Sequence, residues 1–389
     1  MKKKVILILI VISISIFNTG CWDLNDIDTR AIVTAIAIDF VEPIPESYYE
    51  NTEMIQLTAQ IAIQQKLGGG AAGQATMGEE SVWNVSVVGR NVSIALMHLE
   101  RILQYEVFLG HIRMLVLSED IAREGVNRHL NYFRNDPEFR RLSYILVSKG
   151  KAEDILNTFP ETATIQAIYM RDFIENEVNN DNLPKVPFYE FIVRLMDRGI
   201  DPVTILIDRR ENEIKIAGLA VFRGERMIGH LNVDDTYNFT QLSEQKVARL
   251  EVVRDVRTEL GGVTINFSNI KGGLRPRLND DNSITFDYDL QMEGESVSQE
   301  IATDYQNPIF FKELENRISN EFKRENQALV YRVQNKFEAD IFGFGQMVKA
   351  YYPERWSEID DWREEFKKVD LVIRVSTEIR RIGMSTFKK

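Results

Sequence analysis

The side chain with the most informative chemistry is Cys21, the only cysteine in 389 residues. A lone thiol cannot form a disulfide within the chain, and an exposed free thiol is a liability in an exported protein. Cys21 directly follows the small residues Thr19 and Gly20. A modified sulfur is therefore favoured over a free thiol at this position.

The segment before Cys21 has the organisation of an export signal. Three lysines at positions 2–4 precede an unbroken apolar and serine run over residues 5–17. A helix rises 1.5 Å per residue and needs about 20 residues to cross the hydrocarbon core of a bilayer, so this run is too short to span it. We therefore predict a signal peptide over residues 1–20.

The sequence around Cys21 resembles a bacterial lipobox, in which the thiol receives a diacylglyceryl group and the preceding peptide bond is cut. The resemblance implies a mature chain that begins at Cys21 and hangs from the outer face of a membrane, with each buried CH₂ contributing ~0.8 kcal/mol. Asn18 stands where the motif usually has Leu, which predicts slower processing or a looser consensus. The alternative is ordinary secretion with a free thiol.

The other residues that could do chemistry form no constellation typical of an enzyme. The four histidines are spaced too irregularly for a metal motif, and neither His-Glu-x-x-His nor Gly-x-Ser-x-Gly occurs. Adjacent acidic pairs are expected by chance among 59 acidic residues and are typical of solvated turns. We predict no catalytic residue, no metal and no cofactor. The residues considered are His98, His111, His129, His230, Asp234, Asp235, Asp280, Asp281, Asp360 and Asp361.

Bulk composition narrows the class of partner. The formal net charge is −12, and loss of the signal peptide with its lysines makes the remainder more acidic. Such a chain as a whole will not seek nucleic acid or anionic headgroups, so we expect the membrane link to come from the lipid. The length suits two or three domains better than one core.

Residues 21–182 show strand patterns alternating with helical ones, which predicts an N-terminal α/β domain with a mixed sheet. A single helix is expected from the Ser118 cap through Phe133. The glycine-rich stretch Leu67–Gln74 lacks a Gly-Lys-Ser/Thr ending and predicts a hairpin loop instead of a phosphate site. The predicted strands are Ala31–Asp39, Met54–Ile63, Val82–Val87, Ile112–Leu117 and Leu142–Val147, and the other helices begin at Asn91 and cover Thr164–Glu177.

The rest of the chain divides into three parts. Residues 183–200 suit a linker and a short helix at Phe188–Asp197, and residues 201–257 predict a small, β-rich middle domain. Residues 258–389 predict an α+β domain in the order β-β-long helix-β, with the helix over Pro308–Tyr352 and a closing strand at Val369–Val375. The fold class is therefore α/β to α+β.

Four stretches in register resemble the C-subunit lipoproteins of spore nutrient-germinant receptors, the Ger(x)C family. They cover nearly the whole mature chain. The stretches are Cys21-Trp22-Asp23 with the strand through Asp39; Gly89-Arg90, Gly110-His111 and Ala122–Val126; Gly218–Phe222 with Gly229; and Pro353–Trp356, Asp361-Trp362, Phe366 and Ile379–Gly383.

The resemblance implies a three-domain extracytoplasmic lipoprotein on the outer face of the spore inner membrane. It implies a non-enzymatic subunit that assembles with integral-membrane A and B subunits to trigger germination. Ligand-binding residues stay unassigned. Trp22, Trp356 and Trp362 are candidate interface anchors, although core packing is the favoured role.

Two alternatives come from other classes. A lipid-anchored solute-binding protein that captures a nutrient would need two similar lobes around a cleft, whereas this sequence shows dissimilar units and no internal repeat. An exported hydrolase would need a catalytic carboxylate or histidine that the motifs do not identify.

Overall fold

The computed structural model describes residues 30–41, 54–63, 81–103, 105–158, 165–211, 213–243, 252–258, 261–299 and 308–380. The predicted signal peptide, Cys21, Trp22 and the glycine-rich loop at Leu67–Gln74 lie outside the described residues, so their assignments stay predictions.

Thirteen strands form two sheets in the described ranges. The strands of the larger sheet are β1 Arg30–Phe40, β2 Ile55–Ala62, β3 Val82–Gly89, β4 Glu106–Phe108, β5 Met114–Ser118, β6 Tyr144–Ser148, β7 Val203–Arg210, β8 Glu213–Arg223 and β9 Arg226–Leu231. Those of the smaller sheet are β10 Val252–Thr258, β11 Gly261–Leu278, β12 Ile284–Gln299 and β13 Asp370–Arg380.

The described helices are mostly short. They are α1 Val92–Leu103, α2 Glu119–Glu124, α3 Asn127–Asn135, α4 Ala152–Leu156, α5 Gln166–Asn179, α6 Phe188–Met196, α7 Val233–Ser243, α8 Pro308–Arg332, α9 Phe344–Tyr351, α10 Pro353–Ser357 and α11 Trp362–Phe366. None of the helices in these ranges is both long and apolar enough to cross a membrane.

The larger sheet is mixed, with the order β3-β2-β1-β5-β6-β7-β8-β9 and β4 beside β1. Strands β1, β5, β6 and β7 are parallel neighbours, β4 is parallel to β1, and the outer strands β2, β3, β8 and β9 pair antiparallel. The central strands are continuous apolar runs because helices cover both faces of a parallel sheet. We call the end where the four parallel strands begin the amino end and the opposite end the carboxyl end.

The β-rich segment predicted as a middle domain extends this larger sheet. Strand β7 pairs in parallel with β6, with Leu146 opposite Ile205, and β8 and β9 continue outward by antiparallel pairing. The hydrogen bonding therefore runs across the boundary that the sequence placed at residue 201.

The C-terminal part has the predicted order β-β-long helix-β in β11, β12, α8 and β13, and β10 adds a fourth strand. The long helix ends at Arg332 and does not continue to Tyr352 as predicted. A π-helical turn covers Val333–Phe337, and Glu338 and Gly343 then take left-handed backbone angles. A helix cannot pass through left-handed residues, so the segment divides into α8 and α9.

The helix predicted from Ser118 through Phe133 is also two helices. Ser118 caps α2 as expected, since its Oγ accepts the N–H of Ile121 at 3.4 Å. Gly125 has φ of 141°, a conformation that side chains other than glycine rarely adopt, and it ends α2. Leu130 and Phe133, which the apolar periodicity placed on the buried side of a single helix, are buried in α3.

Candidate functional site

The most elaborate polar site in the described residues surrounds Asp340, between α8 and α9. Its carboxylate accepts backbone N–H bonds from Phe342, Gly343 and Phe344 on Oδ1, at 2.9 to 3.2 Å. Oδ2 accepts from the N–H of Gly345 at 2.8 Å and from the indole of Trp362 at 2.9 Å. Burial raises the pKa of Asp340 to about 6, against the opposing effect of these donors.

Asp201, just before β7, connects this loop to the larger sheet. Its backbone N–H donates to the carbonyl of Asp340 at 2.6 Å, and its Oδ2 accepts the Asp340 N–H at 3.1 Å. Arg363 donates to both oxygens, from Nη2 at 2.6 Å and Nε at 3.3 Å. The hydrogen bonds to Asp201 raise the pKa of Arg363. Gly224 in the β8–β9 turn donates a fourth bond at 2.8 Å.

We call Asp201, Asp340, Trp362 and Arg363 the junction cluster. Every carboxylate oxygen in it already accepts hydrogen bonds from the protein. A general base or a metal ligand needs an oxygen that is open to substrate or ion, and the junction cluster offers none. Its arrangement fastens the C-terminal part to the amino end of the larger sheet.

A second buried carboxylate, Asp39, lies where β1 ends at the carboxyl end. Its two oxygens accept the backbone N–H groups of Ala152 at 2.7 Å and Glu153 at 2.9 Å, at the start of α4. Burial raises the pKa of Asp39 to about 6. Open α/β sheets usually bind ligands at the carboxyl ends of their strands, often with an anion at a helix N-terminus. Here the protein's own carboxylate occupies that position.

The four histidines considered in the sequence lie apart from one another in the structure. His98 Nδ1 lies 2.8 Å from the carbonyl oxygen of Val88, and His129 is buried against Phe40. His111 packs edge-on to a phenylalanine ring, and burial lowers the pKa of His230. Within the described ranges, no three histidine, cysteine or acidic side chains are grouped so that they could hold a metal ion.

The favoured core role is confirmed for two of the three tryptophans. Trp356 and Trp362 are buried, and their ring centroids lie 5.4 Å apart. Two of the acidic pairs act locally: Asp281 Oδ1 accepts the N–H of Ser283 at 3.0 Å in the β11–β12 turn, and Asp361 caps α11. In the third pair, Asp235 accepts a hydrogen bond from Arg332 of α8 at 2.5 Å.

A pocket of about 350 Å³ lies in the C-terminal part. Arg355 lines it and donates to the carbonyl of Asn282 at 3.2 Å and to Glu365 at 2.6 Å. Tyr352 donates to the carbonyl of Pro276 at 3.2 Å. These contacts hold α10 to the β11–β12 turn, so the motif at Pro353–Trp356 has a structural role here.

Sequence reasoning missed the junction cluster. Asp201 and Asp340 are 139 residues apart, and no spacing rule connects them. One available signal was that Asp340 stands alone in the apolar and glycine-rich run Ala339–Gly345. A charged residue in such a run is buried only when it is well hydrogen-bonded.

Two family models match the chain in series. "Spore germination protein N-terminal domain" matches residues 23–209, and "Spore germination B3/GerAC like, C-terminal" matches residues 217–383. Spore germination protein YndF of Bacillus subtilis (strain 168) is 25% identical over 98% of each chain. Spore germination protein KC of the same strain is 21% identical over 99% of this chain and 97% of that protein.

A crystal structure of the GerBC protein has the same fold. It covers 89% of this chain and 98% of its own, with a TM-score of 0.58 and 15% identity. The predicted α/β to α+β class with mixed sheets is confirmed by this match and by the two sheets described above.

Proposed function

The chain belongs to the GerAC-like family of spore germination proteins, the C subunits of germinant receptors, and we propose that it is a lipid-anchored C subunit that acts in nutrient-triggered germination. The two family models in series, over residues 23–209 and 217–383, carry this proposal. In it, Cys21 holds the lipid, the folded part lies on the outer face of the spore inner membrane, and integral-membrane A and B subunits are its partners.

The role that we propose is assembly without catalysis. The two buried carboxylates support it, because the oxygens of both Asp39 and Asp340 are engaged by N–H donors of the same chain. A subunit of this kind contributes a shaped and rigid surface. The junction cluster favours that role because it ties the C-terminal part to the larger sheet.

Co-purification tests the proposal. A C-terminally tagged chain is extracted from spore membranes in mild detergent, and its partners are identified for the wild type and for Cys21→Ala. We expect polytopic subunits with the wild type and their loss with Cys21→Ala. A wild type that is abundant in membranes yet brings down no polytopic protein would contradict the proposal.

Nutrient capture is the second candidate, and the pocket beside Arg355 is the observation that favours it. A ligand present at 100 times its Kd would add ~2.7 kcal/mol of stability, so a thermal-shift screen with nutrients tests this function. A shift that Arg355→Ala abolishes would support capture. The position of Asp39 argues against it, since that side chain closes the usual ligand position of the sheet.

A further inference from the structure

Large apolar side chains are exposed along one side of α6. Tyr189, Val193 and Met196 are 44%, 52% and 71% exposed, and their i, i+4, i+7 spacing places them on one side of the helix. Leu142 is 60% exposed and lies beside Tyr189, whose N–H donates to the carbonyl of Arg141 at 3.1 Å. We call Leu142, Tyr189, Val193 and Met196 the α6 stripe.

The α6 stripe belongs to a firmly packed helix. On the buried side, the ring of Phe188 lies 4.8 Å from that of Phe139, and the ring of Phe191 lies 5.2 Å from that of Phe222. The N–H of Phe188 donates to the carbonyl of Ser143 at 2.8 Å. The exposed side chains of the stripe are therefore held in fixed positions. They form a contiguous apolar patch, unlike the scattered single apolar residues that are normal on a protein surface.

Positive charge adjoins the stripe. Arg140 and Arg141 are exposed, and neither they nor Arg113 form an ion pair within the described ranges. The backbones of Arg113 and Arg140 meet at the start of β6, where the N–H of Tyr144 donates to the carbonyl of Arg113 at 2.9 Å and that of Ser143 to the carbonyl of Arg140 at 3.0 Å. Burial, followed by repulsion from Arg140 and Arg171, lowers the pKa of Arg113 against the opposing effect of nearby carboxylates.

The carboxylates around these arginines have other partners. Asp172 and Glu175, which act on Arg113, both pair with Arg171. Glu138 pairs with Arg30 at 3.2 Å. In a chain of net charge −12, the stripe therefore adjoins two exposed arginines that form no ion pair within the described ranges.

Arg30, the first described residue after Cys21, lies at the same end of the sheet as these arginines. Arg30 begins β1 at the amino end, and the strands that follow Arg113 and Leu142 begin at that end too. Arg30 is the ninth residue after Cys21, so the two lie at most about 30 Å apart. A lipid on Cys21 would hold the amino end within that distance of a bilayer.

We propose that the α6 stripe and the arginines beside it rest on the surface of an anionic bilayer, with the amino end of the sheet facing the membrane. The proposal rests on the anchoring of Cys21 proposed above. Apolar side chains next to basic ones are the combination that binds the interface of anionic lipids. The anchor supplies attachment, and the surface fixes the orientation of the subunit.

Depth-dependent quenching tests this orientation on the full chain in vesicles of phosphatidylglycerol and phosphatidylcholine. Fluorophores are attached at Val193→Cys, at Met196→Cys and, as a control, at Lys149→Cys, which is exposed just beyond the opposite end of β6. We expect spin-labelled lipid to quench positions 193 and 196 at least threefold more than position 149. Arg140→Glu with Arg141→Glu should reduce this difference at least twofold, whereas the matched pair Arg209→Glu with Arg210→Glu should leave it unchanged.

The outcomes separate the anchor from the orientation. Flotation with vesicles that depends on Cys21, with equal quenching at positions 193, 196 and 149, would overturn the orientation alone. Flotation that is absent or independent of Cys21 would overturn the anchor and the orientation with it. Crosslinking of position 193 to a co-extracted polypeptide, with no quenching by lipid, would replace the bilayer by a protein partner. A normal melting temperature for each labelled variant confirms that it is folded.

Discussion

The two ends of the nine-stranded sheet use polar side chains in opposite ways. At the carboxyl end, the side-chain oxygens of Asp39 and Ser118 accept hydrogen bonds from N–H groups in the first turns of α4 and α2. At the amino end, Arg140 and Arg141 are exposed without an ion pair among the described residues, beside the α6 stripe. At the end where α/β sheets usually bind ligands, side chains of the protein itself occupy the helix N-termini. At the other end, arginines and apolar side chains are exposed to solvent.

The same contrast separates the two buried carboxylates. Burial raises the pKa of both Asp39 and Asp340 to about 6, and both accept backbone N–H groups. The Asp39 carboxylate accepts two N–H groups at the start of α4, 113 residues further along the chain, whereas that of Asp340 accepts four N–H groups from its own loop and the indole of Trp362. The two carboxylates therefore differ in the number of donors that depend on them.

The largest expected effect is that of Asp340→Ala. It would leave four backbone N–H groups and the indole of Trp362 without an acceptor in a buried site. We expect a loss of about 4 kcal/mol in the free energy of unfolding, measured by urea denaturation. Asp280→Ala, in an exposed turn, is the matched control and should change it by less than about 0.5 kcal/mol. Equal effects of the two variants would refute the structural role of the Asp340 carboxylate.

The pH dependence comes next in size. Both carboxyls have a folded pKa of about 6 against an ordinary value of 3.8, so the folded state keeps protons that the unfolded state has lost. The stability due to these groups is fully present below pH 3.8 and declines as the pH rises towards 6, by at most about 3 kcal/mol per carboxyl. Urea midpoints between pH 4 and pH 7 measure the decline, and Asp39→Asn should make it shallower. An unchanged slope in that variant would contradict the raised pKa.

A smaller effect is expected for Asp39→Ala. It removes the acceptor of two N–H groups at the start of α4, and the loss of an N-cap costs about 1 kcal/mol. Urea denaturation at pH 7 measures the change. Asp120→Ala, which removes an exposed carboxylate from the first turn of α2, is the control. A loss as large as that of Asp340→Ala would show that the number of donors does not set the size of the effect.

Local patterns predicted most elements, and contacts distant in sequence account for what they missed. The apolar run Ala31–Asp39 and the Ser118 cap appear in the structure as β1 and the start of α2. The division of the long helix after Arg332 depends on Glu338 and Gly343, whose left-handed angles fix a loop around Asp340. That loop is stable because Asp201 reaches it from another part of the chain, which periodicity cannot show.

The basic surface escaped notice for a different reason. A net charge of −12 led to the expectation that charge contributes nothing at a membrane. Net charge is a sum over the whole chain, while headgroups respond to charges within about a Debye length, near 10 Å. The cations at the amino end come together because β5 and β6 start side by side, with the N–H of Tyr144 donating to the carbonyl of Arg113 at 2.9 Å.

The smallest expected effect on stability is that of a double variant in the α6 stripe, which tests whether these side chains contact the bilayer or belong to the core. The double variant Val193→Ser with Met196→Ser alters only side chains that are 52% and 71% exposed, so the free energy of unfolding should change by less than about 0.5 kcal/mol. The same variant should lower the quenching of a fluorophore at Tyr189→Cys by spin-labelled lipid at least twofold, because the apolar contact with the interface is lost. A loss of several kcal/mol would show that the α6 stripe is part of the core, and unchanged quenching would show that the amino end does not face the bilayer.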